Sequence, residues 1–197
     1  MSLSIFYLEQ ALNHATGAAN APEGEPKFKE SLLAIVFASL CLEAFANEMA
    51  ENQFDGKELK DFLALKGKYK IKHQATSVAW KIKLLFDSCW TVNLLIMQSP
   101  LKEVEELYRL RNALVHYKLG ETAGKAYMPP PETHVVGVTV FDFMKQPTRI
   151  EPPLVARVNA SEAAKSYNAA LRTIKMWNER AGAPPDALAS FSECVVV

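Results

Sequence analysis

The hydrophobic and polar positions along the chain repeat mainly with the spacing of helices. Apolar residues recur three or four positions apart over residues 3–16, which predicts a first amphipathic helix. Over 27–52 no proline or glycine interrupts a stretch whose middle is apolar nearly all round, as in a central bundle helix. Further helices are expected over 57–65, 78–90, 101–118 and 159–180. The pattern therefore predicts an all-α protein, an up-and-down helical bundle.

The stretch before the last helix has a different character. Six of the eleven prolines fall within residues 119–153, which forbids a long helix there. Residues 135–143 are β-branched and aromatic, which favours one strand or a short hairpin. We therefore predict a single domain over 1–185 with a proline-rich insertion at 119–158, and a flexible tail over 186–197.

Composition places the chain among ordinary globular proteins. Its 197 residues are 49% hydrophobic and 22% charged, enough for one full core and too apolar for wholesale disorder. Cys41, Cys89 and Cys194 have no CxxC spacing, so reduced thiols and a cytoplasmic location are expected. The most apolar stretch, 32–42, is followed by Glu43 and falls short of the roughly 20 residues of a membrane span. We expect a buried helix and no membrane.

The formal net charge is zero, so any affinity for nucleic acid must come from a local patch. Eight lysines face only two carboxylates over residues 57–83. Within this patch Tyr69 lies between basic side chains, an arrangement that binds RNA through phosphate contacts and a stacking ring. The alternative is a solvated loop. The candidate RNA-binding residues are Lys66, Lys68, Tyr69, Lys70 and Lys72.

Arg111 occupies an unusual place in the helix predicted over 101–118. At 100° per residue it falls near the middle of the broad apolar face. A guanidinium is almost never fully buried without a partner. Glu43, which lies in the most apolar part of the second helix, is the partner we predict.

Asn112 and His116 lie four residues apart and share one side of that helix, whereas Arg111 is about 140° from His116. Arginine has a fixed fork that matches phosphate, neutral histidine can exchange a proton near pH 7, and asparagine can donate or accept a hydrogen bond. These groups suit metal-free phosphodiester cleavage. The alternative is a buried ion pair and a histidine at a helix end, where the helix dipole favours it. Spacing alone does not decide between them.

The stretch Glu106-Leu-Tyr-Arg-Leu-Arg-Asn-Ala-Leu-Val-His-Tyr-Lys118 resembles the signature helix of the HEPN superfamily, an arginine followed by four to six residues and a histidine. Ser39-Leu-Cys-Leu-Glu-Ala-Phe-Ala-Asn-Glu48 resembles the second long helix of many bacterial members. The resemblance covers about residues 1–118 and the last helix. The excursion over 119–153 has no counterpart in it.

The resemblance implies a helical bundle that forms a homodimer, in which two signature helices face each other across one site. Many members are metal-independent ribonucleases of toxin–antitoxin or defence systems, and others are inactive modules that bind RNA, a nucleotide or a protein partner such as an antitoxin or nucleotidyltransferase. A purely structural helical dimer is a third alternative. The resemblance assigns catalysis to Arg111, Asn112 and His116, and we expect no metal and no cofactor. Glu43 and Asn47 are predicted to support the catalytic residues, and Lys118, which flanks them, is a further candidate RNA contact.

Overall fold

The structure is a computed structural model of the full chain, with 197 residues. It describes residues 2–71, 75–90, 98–116, 125–127, 134–135, 138–139, 149–151, 153–183 and 188–195.

The described residues contain six α-helices, which confirms the predicted all-α class. Each begins and ends within a few residues of the sequence-based boundary. They are α1 Leu3–Asn20, α2 Glu25–Gln53, α3 Gly56–Leu63, α4 Ser77–Cys89, α5 Leu101–Val115 and α6 Ala160–Ala181.

The long helix α2 is the centre of the core. It packs against α1 and α6 and also contacts α3, α4 and α5, and its residues Ile35, Leu42 and Phe45 are buried. The first helix runs through Gly17 to Asn20, four residues beyond the predicted end. A Cβ atom at Gly17 would lie 2.8 Å from a carboxylate oxygen of Glu30 on α2, so the Glu30 side chain would have to shift if Gly17 were replaced.

By length and composition, α2 could cross a membrane, because its most apolar 18-residue window has a mean hydropathy of 1.7. The expectation that this stretch is a buried helix, with no membrane, is neither confirmed nor contradicted by this criterion. In the folded chain 44% of that window is buried inside the protein. The core helix of a soluble protein meets the same criterion, so the test carries no assignment.

A cluster of aromatic rings joins the helices α2, α4 and α6. The Trp177 ring of α6 lies 5.7 Å from the ring of Phe45, 5.2 Å from that of Phe86 and 4.6 Å from that of Trp90. All three contacts have edge-on geometry, the arrangement that aromatic quadrupoles favour. The tryptophans Trp90 and Trp177 therefore have packing roles.

The chain divides into two compact units, residues 1–115 with 158–197, and residues 116–157. The first unit holds all six helices. The second contains two antiparallel strand pairs, Lys125–Tyr127 with Arg149–Glu151 and His134–Val135 with Val138–Thr139. The shorter pair is a hairpin at the start of the stretch for which one strand or hairpin was expected, whereas the sequence pattern gave no sign of the other pair.

The last described segment, 188–195, differs from the flexible tail that the sequence suggested. Leu188 is buried, and the Asn168 side chain of α6 makes two hydrogen bonds to the backbone of Cys194. Polar contacts of this kind follow no apolar periodicity, so the sequence pattern could not reveal them.

Candidate functional site

Helix α5 is buried over its first turns and leaves the core at its carboxyl end. Tyr108 and Leu110 are buried, Arg111 and Asn112 are half-buried, and the Val115 side chain is 55% exposed. This increase in exposure towards the end of α5 occurs although Arg111 and Val115 lie on the same side of the helix as buried residues. The end of α5 therefore projects beyond the packed part of the bundle and carries the candidate residues with it.

Arg111 and Asn112 are in direct contact. The guanidinium donates a hydrogen bond of 3.2 Å from Nη1 to the side-chain oxygen Oδ1 of Asn112. This contact orients both groups at the exposed end of α5. It uses one of the five N–H donors of the arginine, so the guanidinium keeps donors for a bound anion.

The predicted ion pair between Glu43 and Arg111 is not formed within the described residues, where no carboxylate lies within 4 Å of the Arg111 guanidinium. Glu43 is exposed on α2. The prediction failed because it took the apolar sequence around Glu43 to mean that all sides of α2 are buried at that point. The helix has a solvent-facing side there, which makes a partner for the carboxylate unnecessary.

Glu43 and Arg111 nevertheless act on the same buried hydroxyl. The Tyr108 hydroxyl of α5 donates a hydrogen bond of 2.5 Å to the backbone oxygen of Ser39 on α2. Burial raises the pKa of Tyr108 well above its usual range, the charges of Glu43 and Cys41 raise it further, and the charge of Arg111 lowers it. The charges of the two residues predicted to pair thus both influence the tyrosine that joins α5 to α2.

Lys81 on α4 belongs to the same polar region. Its amine is half-buried, and burial lowers its pKa while the negative charge of Glu43 raises it. Glu43 therefore acts on a lysine of α4 and a tyrosine of α5, at the place where these helices meet α2.

Asn47, predicted to support the site, is half-buried one turn after Glu43 on α2. Its side-chain oxygen is buried and has no hydrogen-bond partner among the described residues. A buried acceptor without a partner costs about 1–3 kcal/mol, which is why such atoms often mark a place for water or a ligand.

The sequence analysis missed the most deeply buried charge of α5, Glu105. Only 5% of this residue is exposed. One carboxylate oxygen accepts hydrogen bonds of 2.8 Å from the backbone N–H and the hydroxyl of Thr76, and the other accepts one of 2.9 Å from Arg109. Its position four residues after Leu101 and three before Tyr108 places it on the apolar face, which was the available signal. The carboxylate anchors α5 to the start of α4.

His116 follows the last residue of α5 and is exposed. The helix ends three residues earlier than predicted, so the helical spacing used for Asn112 and His116 applies only up to Val115. His116 is also the first residue of the second compact unit. Lys118 lies outside the described residues.

The predicted RNA-binding strip is only partly available. Lys66 and Lys70 are exposed, and Lys68 is exposed but lies 2.7 Å from a Glu58 carboxylate oxygen. Tyr69 is buried, donates its hydroxyl to Glu58 over 2.6 Å, and packs its ring edge-on against Phe62. Lys72 lies outside the described residues.

The burial of Tyr69 corrects one part of the strip. Its ring lies 5.6 Å from the ring of Phe54 and its backbone oxygen accepts a hydrogen bond from Trp80. A ring used in the core in this way cannot stack on a base. The alternation of lysine and tyrosine therefore reflects one side chain packed inward between exposed neighbours.

Within the described ranges, no three His, Cys, Asp or Glu side chains are grouped closely enough to hold a metal ion. Comparison with protein-family models, with curated proteins and with solved structures finds no match to this chain.

Proposed function

We propose that the chain is a metal-independent endoribonuclease of the HEPN type that acts as a homodimer. The observation that supports this best is the Arg111–Asn112 pair at the end of α5. The guanidinium is half-buried, hydrogen-bonded to a neutral amide, and without a carboxylate within ion-pair distance in the described structure. An oriented cation that is not neutralised by the protein is suited to a phosphate.

The three residues divide the reaction between them. Arg111 binds the scissile phosphate and stabilises the charge that accumulates on its oxygens. Asn112, held by Arg111, orients a phosphate or ribose oxygen. His116 takes the proton of the ribose 2′-hydroxyl as that oxygen attacks phosphorus, and the bond to the 5′-oxygen breaks to leave a 2′,3′-cyclic phosphate. The leaving oxygen takes up a proton from an imidazolium or from water.

In the proposed site, a second copy of the chain supplies the histidine that acts together with Arg111. Because α5 ends at Val115, the helix does not hold the His116 imidazole beside the Arg111 guanidinium of the same chain. The exposed Val115 side chain lies next to them and would be covered by an opposing α5. In the proposed dimer each site combines the arginine of one copy with the histidine of the other.

Cleavage of RNA in excess chelator tests this function. We expect the wild-type chain to cut, and Arg111→Ala and His116→Ala to lose about 100-fold or more in rate, as for loss of a proton-transfer or charge-stabilising group. Lys102→Ala is the control, because Lys102 is a basic residue of the same helix with a side chain that is 55% exposed. Cleavage that persists in both variants, or that is absent over a broad panel of RNAs, would reject the proposal.

The early end of α5 favours a second candidate, an inactive HEPN module that binds RNA, a nucleotide or a protein partner such as an antitoxin or nucleotidyltransferase. His116 lies after the helix, so its position is not fixed by helical hydrogen bonds. This alternative predicts RNA binding that depends on Arg111 without any cleavage. A binding assay on the same RNA panel separates the two.

A further inference from the structure

The segment 191–195 has no regular secondary structure and is hydrogen-bonded along α6. Asn168 of α6 is 97% buried and contacts the segment through both ends of its amide. Its amide nitrogen donates a hydrogen bond of 2.9 Å to the backbone oxygen of Cys194, and its amide oxygen accepts one of 2.8 Å from the backbone N–H of the same residue. An asparagine that pairs with one residue's N–H and C=O recognises backbone and is indifferent to the side chain.

Side chains on the same face of α6 complete the recognition. Arg172 donates from Nε and Nη2 to the two carboxylate oxygens of Glu193, at 2.9 and 2.5 Å. Lys175 donates to the backbone oxygen of Phe191 over 3.2 Å, and Tyr167 donates to that of Ser192 over 2.9 Å. A two-point arginine contact selects a carboxylate at one position. The face therefore binds backbone groups of the segment and one acidic side chain.

The segment is held mainly by these polar contacts. Ser192 and Glu193 are exposed, Phe191 and Cys194 are only half-buried, and the Val195 side chain is 83% exposed. Segments that bury little apolar surface open locally at low cost. The same contacts are therefore open to exchange with a second peptide of the same chemistry.

We propose that this face of α6, formed by Tyr167, Asn168, Arg172 and Lys175, is a binding site for an acidic peptide of another protein chain. The chain's own segment 191–195 occupies the site and competes with that partner. A bound partner places a carboxylate on Arg172 and a peptide unit on Asn168.

Arg172 can release Glu193 without losing its place in the fold. Its Nη1 atom also donates to both carboxylate oxygens of Glu103 in the first turn of α5, at 3.0 and 3.1 Å. That contact holds the guanidinium at the site while the peptide exchanges. The basic side chains Arg172 and Lys175 on this face complement an acidic partner.

Thiol labelling of the full chain tests the proposal, with Cys194 as the reporter. The probe is a synthetic peptide of residues 188–195 with serine at the position of Cys194. The chain's own segment competes at an effective concentration in the millimolar range, so millimolar peptide is needed. We expect the peptide to raise the labelling rate of Cys194 at least threefold, with saturation, while the rate at Cys89 stays constant.

Two variants sharpen the test. Glu193→Gln in the chain weakens its own segment, and we expect half-saturation at a peptide concentration two- to fivefold lower, as for loss of a partly exposed ion pair. Asn168→Asp accepts from the Cys194 N–H but cannot donate to its oxygen, so Cys194 should be labelled faster without peptide. The same peptide with glutamine in place of glutamate should be less effective.

The outcomes separate clearly. Saturable acceleration that requires the glutamate supports the site. No acceleration at millimolar peptide, in the wild type and in the Glu193→Gln chain alike, overturns it and leaves a fixed intramolecular contact. Labelling of wild-type Cys194 as fast as that of an unfolded chain would also overturn it, because the segment would then not be docked.

Discussion

Replacing Glu105 by alanine should destabilise the chain far more than its position on a charged stretch of sequence suggests. The carboxylate is buried and accepts two hydrogen bonds of 2.8 Å from Thr76 at the start of α4. Hydrogen bonds to charged groups contribute about 1.5–3 kcal/mol each, and truncation leaves the Thr76 donors without this partner. The exposed Arg109 contributes little. We therefore expect a loss of about 3 kcal/mol in the free energy of unfolding.

Urea unfolding followed by tryptophan fluorescence measures this loss. The neighbouring Glu106→Ala is the matched control, because Glu106 is 65% exposed and lies 3.8 Å from the Lys102 amine. We expect the control to change the free energy of unfolding by less than about 0.5 kcal/mol. Equal effects of the two substitutions would refute the role given to Glu105 in joining α5 to α4.

Three further substitutions test the fold and its electrostatics. Burial raises the pKa of Glu48, but hydrogen bonds from two serine side chains and two backbone N–H groups lower it below 4.5 overall. The stabilisation is thus fully present above that pH and is lost as the pH falls through the lowered pKa of the folded state. Glu48→Gln should therefore lower the urea midpoint at pH 7, and by progressively less as the pH is lowered below 4.5, whereas the exposed Glu51→Gln should not show this dependence. Tyr69→Ala should cost about 3 kcal/mol in urea unfolding because its ring is in the core; a cost under 1 kcal/mol would contradict this. Tyr108→Phe loses the bond to the Ser39 backbone and should cost about 1–2 kcal/mol. The difference in tyrosinate absorbance between the wild type and Tyr108→Phe should show Tyr108 ionising only on unfolding, since its pKa is raised.

Most of the helical architecture could be predicted because it follows from apolar periodicity. The position of α2 at the centre is such a case, since most residues in the middle of this helix are apolar. The apolar periodicity of the sequence does not indicate at which residue a helix leaves the core. Val115 falls on the apolar side of α5 and is nonetheless exposed, because burial depends on the segments packed against a position and not on the pattern of its own helix.

The candidate site was predicted less well than the fold. Contact between Arg111 and Asn112 is local, but the partner predicted for Arg111 depended on which side of α2 faces α5, which the sequence does not contain. Tyr69 shows the same limit, since its neighbours Phe54 and Phe62 come from other segments. The burial of Glu105, by contrast, could have been predicted from the apolar periodicity of α5.

Complementation between two inactive variants tests the central claim, RNA cleavage without metal at a site shared by two copies. Arg111→Ala and His116→Ala chains are co-expressed, purified together and assayed with RNA in excess chelator. Random pairing makes half of the dimers mixed, each with one intact site, so the mixture should recover about a quarter of the wild-type rate. A mixture as inactive as either variant alone, beside an active wild type, would contradict the shared site, and an inactive wild type would contradict the activity itself.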